Sequence, residues 1–103
     1  MITVEQAVKF VKENNCLKDW SEGAIAIAIA KSIESGVLSY CSKDDKLISL
    51  VFGKSFDNKQ IHIQCAICKG QLKNYIRLFK KKYPGHFISM FRKGELRLLK
   101  FKY

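Results

Sequence analysis

The sequence predicts an α+β fold in the order α-α-β-β-β-α-β-β, with two N-terminal helices, an antiparallel strand meander, a crossover helix and C-terminal strands. Three observations predict it. Apolar residues recur at helical spacing over residues 4–14 and 22–35. From Val37 the pattern changes to short alternating runs, and one further helical stripe interrupts them between Leu72 and Tyr83. A chain of 103 residues is long enough for one core and too short for two, so a single domain over 1–103 is expected.

Thr3 followed by Gln6 forms a capping-box pattern, and Val4, Ala7, Val8 and Val11 then mark the first helix, which Asn14-Asn15 ends. The stretch "GAIAIAIAKSIESG" (23–36) alternates like a strand, yet both alternating residue types are apolar. Ser21 suits an N-cap, Glu22 suits the positive end of the dipole, and Trp20 and Ile25 occupy the positions of a hydrophobic staple. Ile25, Ile29 and Ile33 fall on one face, and Gly36 fits a left-handed C-terminal cap. A buried helix over 22–35 is therefore expected. "VLSYC" (37–41), a polar turn at Ser42-Lys43-Asp44-Asp45, "LISLVF" (47–52), a turn containing Gly53, Asp57 and Asn58, and "IHIQCAI" (61–67) read as the meander. Leu72, Tyr75, Ile76, Phe79 and Tyr83 form the apolar stripe of the third helix, which Pro84-Gly85 stops. "HFISMF" (86–91), a Lys93-Gly94 turn and "ELRLLKFKY" (95–103) read as a final hairpin, with 86–91 parallel to 61–67 across the helix.

Charge divides the chain. The formal net charge is +10, and the eight lysines before residue 69 are balanced by eight acids. The eleven cations from Lys69 onward face only Glu95. Such asymmetry points to an anionic partner. The longest apolar run, Ala24 to Ala30, is far below the ~20 residues of a membrane span, and the N-terminus lacks the pattern of a secretory signal. No membrane association and a cytoplasmic location, in a bacterium or a host cell, are the expectation. Cys65 and Cys68 form a CxxC, but side chains three apart on a strand point to opposite faces, and Cys16 and Cys41 lack finger-like spacing. Reduced, partly buried cysteines and no metal site are expected.

"IHIQCAICKGQLKNY" runs a strand through one glycine into a helix N-terminus, where backbone N–H groups and the dipole suit a phosphate. Over about residues 20 to 92 this element order resembles the GNAT N-acetyltransferase superfamily. "ICKGQLKNYIRLFKKKYPGHFISMFRKGELRLLKF" is also similar to the ends of small phage-encoded proteins of acetyltransferase-like type. The resemblance implies acetyl-coenzyme A or another acyl-CoA as cofactor. Its pyrophosphate would lie on the loop Cys68, Lys69, Gly70, Gln71 and Leu72, its pantetheine arm would enter between the two splayed strands, and a further acceptor would take the acyl group. Of the family's phosphate-loop pattern only Gly70 is present. No strand precedes the first helix, and the tight turn at Lys93-Gly94 replaces the helix usual between the last two strands.

No catalytic set is defined by spacing. His62, on the strand face opposite Ile61, Ile63 and Cys65, is the candidate base, while His86 reads as a turn residue; Asp44-Asp45 and the Tyr40–Tyr75 pair have no partner placed by spacing. The alternative function is a non-enzymatic basic module that binds DNA or RNA or docks with virion proteins, which would make the protein virion-associated. Its residues would be Lys73, Arg77, Lys80, Lys81, Arg92, Lys93 and Arg97, joined by Lys100 and Lys102, with Phe91, Phe101 and Tyr103 available for stacking.

Overall fold

Local signals in the first 36 residues build two helices. In a computed structural model, which describes residues 2–56, 59–68, 70–92 and 95–98 and the side chains among them through residue 90, α1 spans Val4–Glu13 and α2 spans Glu22–Ser35. The capping box forms as expected: Gln6 N–H donates to Thr3 Oγ1 at 3.1 Å and Thr3 N–H donates to Gln6 Oε1 at 2.9 Å. Ser21 Oγ accepts from Ala24 N–H at 3.1 Å, and Gly36 closes α2 at φ 78°. Trp20 and Ile25 both pack into one apolar cluster. The expectation of a buried α2 needs correction. Ile25 and Ile29 are buried, but Ile27 on the other side is 59% exposed, so the helix is buried on one stripe only.

The strands are β1 (Leu38–Lys43), β2 (Lys46–Phe56), β3 (Gln60–Ile67), β4 (Phe87–Arg92) and β5 (Glu95–Leu98), with α3 (Leu72–Lys82) between β3 and β4. They form a mixed sheet in the order β1-β2-β3-β4-β5, antiparallel throughout except for the parallel β3–β4 pair that α3 connects. The α+β class and the element order are those expected from the sequence.

Several strand boundaries differ by a residue or more from those expected, and two of the differences have a visible cause. The first strand begins at Leu38, because Val37 N–H donates to Ser32 O at 2.8 Å and continues the helix cap. The second runs through Gly53 to Phe56, where a turn was expected. A Cβ on Gly53 would clash with the His62 carbonyl oxygen, so glycine here permits a close strand approach. Asp44 and Asp45, both at positive φ, make the two-residue hairpin turn. Asp57 and Asn58 lie outside the described residues, as does the Lys93-Gly94 turn.

Helices cover both faces of the sheet. Tyr75, Ile76 and Phe79 of α3 pack on Val51, Ile61, Ile63 and Ile88, which matches the expected stripe. Ala7 and Val11 of α1 and Ile25 and Ile29 of α2 pack on Leu50, Phe52 and Cys65 from the other side. Burial from both sides explains why β2 is buried at every position from Ser49 to Gly53. At its far end α3 is tied to α2: Lys82 Nζ donates to Gly36 O at 3.0 Å, and the Tyr83 hydroxyl donates to Ser35 O.

Candidate functional site

One extra residue in β3 organises the site. The β2–β3 register passes from Phe52↔Cys65 to Gly53↔Ile63, which leaves Gln64 as a bulge. Alternation reverses across it. Ile61 and Ile63 pack under α3, whereas Cys65 packs under α1 and α2. The expectation that His62 lies opposite Cys65 is corrected accordingly: the bulge moves Cys65 onto the face that His62 shares. The parallel ladder between β3 and β4 runs from Gln60↔Phe87 to Ile63↔Met90 and stops there, beside the bulge. Both strands continue, β3 to Ile67 and β4 to Arg92, with no register joining their ends among the described residues.

Past the end of that ladder the chain enters α3. Gly70 adopts φ 79°, with nothing within 4 Å of where a Cβ would stand. Gln71 N–H donates to Cys68 O at 2.7 Å, and Gln71 provides no side-chain cap. Among the described residues, the entry therefore leaves the first N–H groups of α3 without a capping side chain, under the positive end of the dipole. Cys68 is half-buried beside the α3 core, and burial pushes its thiol above the ordinary value, so it stays protonated. Leu72 packs on the same core. Lys69 lies outside the described residues.

His62 and Ser89 are register partners at the second-last step of the ladder. His62 Nδ1 lies 3.0 Å from Ser89 Oγ, which also accepts from Gln60 Nε2 at 2.9 Å. Ser89 is fully buried, and burial holds the His62 imidazole below its ordinary pKa, in the neutral form at pH 7. The sequence reading missed Ser89. Its only local signal is a polar residue in the middle of the apolar run "FISMF".

On α3, Lys73, Arg77 and Lys81 are exposed and Lys80 is partly so. Arg77, Lys80 and Lys81 line a surface cavity of about 760 Å³ with Gly85, His86 and Phe87. Phe87 is 63% exposed there and was not among the stacking candidates. The side chains of Phe91, Arg92 and Arg97, and all of Lys93, Lys100, Phe101, Lys102 and Tyr103, lie outside the described residues. A second cavity, of about 430 Å³, lies between α2 and the bulge, with Trp20, Ala28, Lys31, Lys54 and Gln64 in its wall. Neither cavity is lined by Cys68, Gly70, Gln71 or Leu72.

The tyrosines expected without partners separate. Tyr75 hydrogen-bonds Ser49 in the core, and Tyr40 is exposed. Cys65 and Cys68 pack on opposite sides of the sheet, as strand geometry requires, and Cys41 is exposed rather than partly buried because it lies in the β1–β2 hairpin. Cys65 instead meets Cys16 across the sheet face. No helix among the described residues is long and apolar enough to cross a membrane. No protein-family model, no curated protein and no solved structure matches this chain.

Proposed function

We propose that the protein is an acyl-CoA-dependent N-acyltransferase of the acetyltransferase-like kind. One observation carries this reading: the parallel β3–β4 ladder stops at the Gln64 bulge, on the path into the α3 N-terminus. Beyond that point the backbone groups of 64–67 that point away from β2 have no strand partner among the described residues. Such groups suit an extended ligand bearing amides, which would add to the strand as a peptide does. The entry to α3 fits a pyrophosphate, since Gly70 leaves open space above its backbone and Gln71 contributes no competing cap. The N–H groups of Gly70 and Leu72, with Lys69 as a point charge, would hold that group, while the Gln71 N–H stays bonded to Cys68 O. When bound, acyl-CoA supplies an acyl group activated as a thioester. His62 would take the proton of an incoming amine. This role requires the imidazole proton on Nδ1, donated to Ser89 Oγ, and leaves Nε2 as the base.

Calorimetry with acetyl-CoA tests the reading. Because Gly70 sits at φ 79°, Gly70→Val would mix backbone strain with obstruction, whereas asparagine tolerates the left-handed region and still fills the space. Gly70→Asn is expected to weaken binding more than Lys69→Ala does; simple charge attraction predicts the reverse order. Absence of binding by the wild-type protein at millimolar acetyl-CoA overturns the proposal.

A second reading, a nucleic-acid-binding module, is favoured by the cavity where the cations of α3 surround the exposed Phe87. Cations on the phosphates and a ring on a base are the two components of single-strand binding. Affinity would then fall steeply with salt and be lost in Arg77→Glu/Lys81→Glu. A mobility-shift titration at low salt that shows no complex removes this reading.

A further inference from the structure

Cys16 and Cys65 are 49 positions apart in sequence, and their Sγ atoms lie 2.9 Å apart. The connection between α1 and α2 is shaped to bring them together. Cys16 stands between Asn15 and Leu17, both at positive φ (55° and 53°), a conformation that a leucine adopts only when its surroundings impose it. Those surroundings are visible. Cys16 N–H donates to Val11 O at 3.1 Å, Trp20 N–H donates to Leu17 O at 3.0 Å, and Lys12 Nζ donates to Trp20 O at 3.1 Å. Leu17 and Trp20 then pack against the core beneath α1 and α2. On the other side, the Gln64 bulge turns Cys65 towards this loop and away from α3.

We propose that Cys16 and Cys65 are a redox-active pair that closes to a disulfide when a hydroperoxide oxidises Cys16, fastening the α1–α2 connection to the bulged strand. The sulfurs need approach by only about 0.9 Å to reach bonding distance. The two thiols have different roles. Cys65 is buried and Cys16 half-buried, so the oxidant meets Cys16 first. The hydrogen bond from Cys65 lowers the Cys16 pKa to about 7, which places much of it as thiolate at neutral pH, and the same contact together with burial raises that of Cys65. The Cys16 thiolate attacks the terminal peroxide oxygen, the O–O bond breaks, and the alkoxide (or hydroxide) leaves and takes up the proton that Cys16 lost. The Cys65 sulfur then attacks the resulting sulfenic acid; the S–S bond forms and the hydroxyl leaves with the Cys65 proton as water. Two thiols are oxidised by two electrons in total and one peroxide is reduced.

The test uses the full chain carrying Cys41→Ser and Cys68→Ser, so that only the pair can react. One equivalent of hydrogen peroxide is expected to remove both free thiols, lower the intact mass by two hydrogens, leave a monomer whose Cys16 and Cys65 peptides are linked, and raise Tm; dithiothreitol should reverse every change. Adding Cys65→Ser should stop the reaction at a dimedone-reactive sulfenic acid on Cys16. If that variant does not fold by circular dichroism, Cys16→Ser takes its place, and Cys65 should then resist peroxide. Gain of oxygen with Cys65 still a free thiol, linkage between molecules, two unreacted thiols, or a Cys65 that reacts unaided in Cys16→Ser would each overturn the proposal.

Discussion

The face of the sheet under α3 and the face under α1 and α2 are built from the same strands but hold different chemistry. Under α3 the buried side chains are Val37, Val51, Ile61, Ile63, Ile76, Phe79 and Ile88, joined by Tyr75, whose hydroxyl is satisfied by Ser49. The opposite face has its own apolar patch at Leu50 and Phe52, and it also carries the Cys16–Cys65 contact. Strand alternation places Gln60, His62 and Ser89 on that side too, opposite Ile61, Ile63 and Ile88. The difference comes from one inserted residue. Were Gln64 paired as in a regular strand, Cys65 would continue the Ile61–Ile63 row into the α3 core; with Gln64 bulged, the thiol lies on the face that already holds the imidazole and the hydroxyl. A bulge thus concentrates the polar and reactive groups on one side while the other remains a packing surface.

That contrast predicts different mutational costs. Phe79→Ala removes a buried ring from the α3 core, and is expected to cost ~3–5 kcal/mol in chemical denaturation. It should leave the reactivity of the Cys16–Cys65 pair unchanged at temperatures where the variant remains folded. Loss of the pair's reactivity in this variant would mean that the two faces are not independent. Gly53→Ala acts at the junction of the faces, forcing its Cβ against the His62 carbonyl beside the bulge. A cost of ~2–3 kcal/mol is expected, because the Cβ would stand well inside contact distance of that backbone oxygen and the two strands must part to admit it. Unlike Phe79→Ala, it should shift the His62 imidazole resonances. A neutral Gly53→Ala would show that β2 and β3 do not approach closely there.

The sequence revealed what neighbouring residues decide among themselves. Thr3 with Gln6, Ser21 with Ala24 and Gly36 as a left-handed cap are interactions within a turn or two, and each helix end follows from them. The α3 stripe was equally legible, because its period is a property of eleven consecutive residues. Gly53 was misread for a physical reason: a glycine signals either a turn or a close backbone approach, and the neighbour that distinguishes them, His62, lies on another strand. Gln64 was hidden in the same way, since a bulge is a relation between two strands and "IHIQCAI" alternates nearly as well without one. For α2, periodicity showed which stripe is apolar but not whether a second layer covers Ile27. The Cys16–Cys65 contact and the His62–Ser89 pair needed the sheet register itself.

The smallest expected effect concerns pH and belongs to the polar face alone. Burial lowers the His62 pKa in the folded protein, while in the unfolded chain it returns to about 6.5. Between those two values the unfolded state binds more protons, so stability rises with pH across that window. The His62 contribution is therefore complete above about pH 6.5 and is lost as the pH falls towards the folded-state pKa. Denaturant midpoints measured at about pH 7.5 and about pH 5.5 should show the loss in the wild-type protein. His62→Gln, which keeps a polar group able to reach Ser89, should remove that part of the difference, whereas Phe79→Ala should lower both midpoints and preserve it. If His62→Gln retains the full wild-type pH dependence, the imidazole is not held neutral by its surroundings. It would then titrate at the ordinary value of about 6.5, and acyl transfer by the β3–β4 site would fall as the pH drops through that value instead of persisting below it.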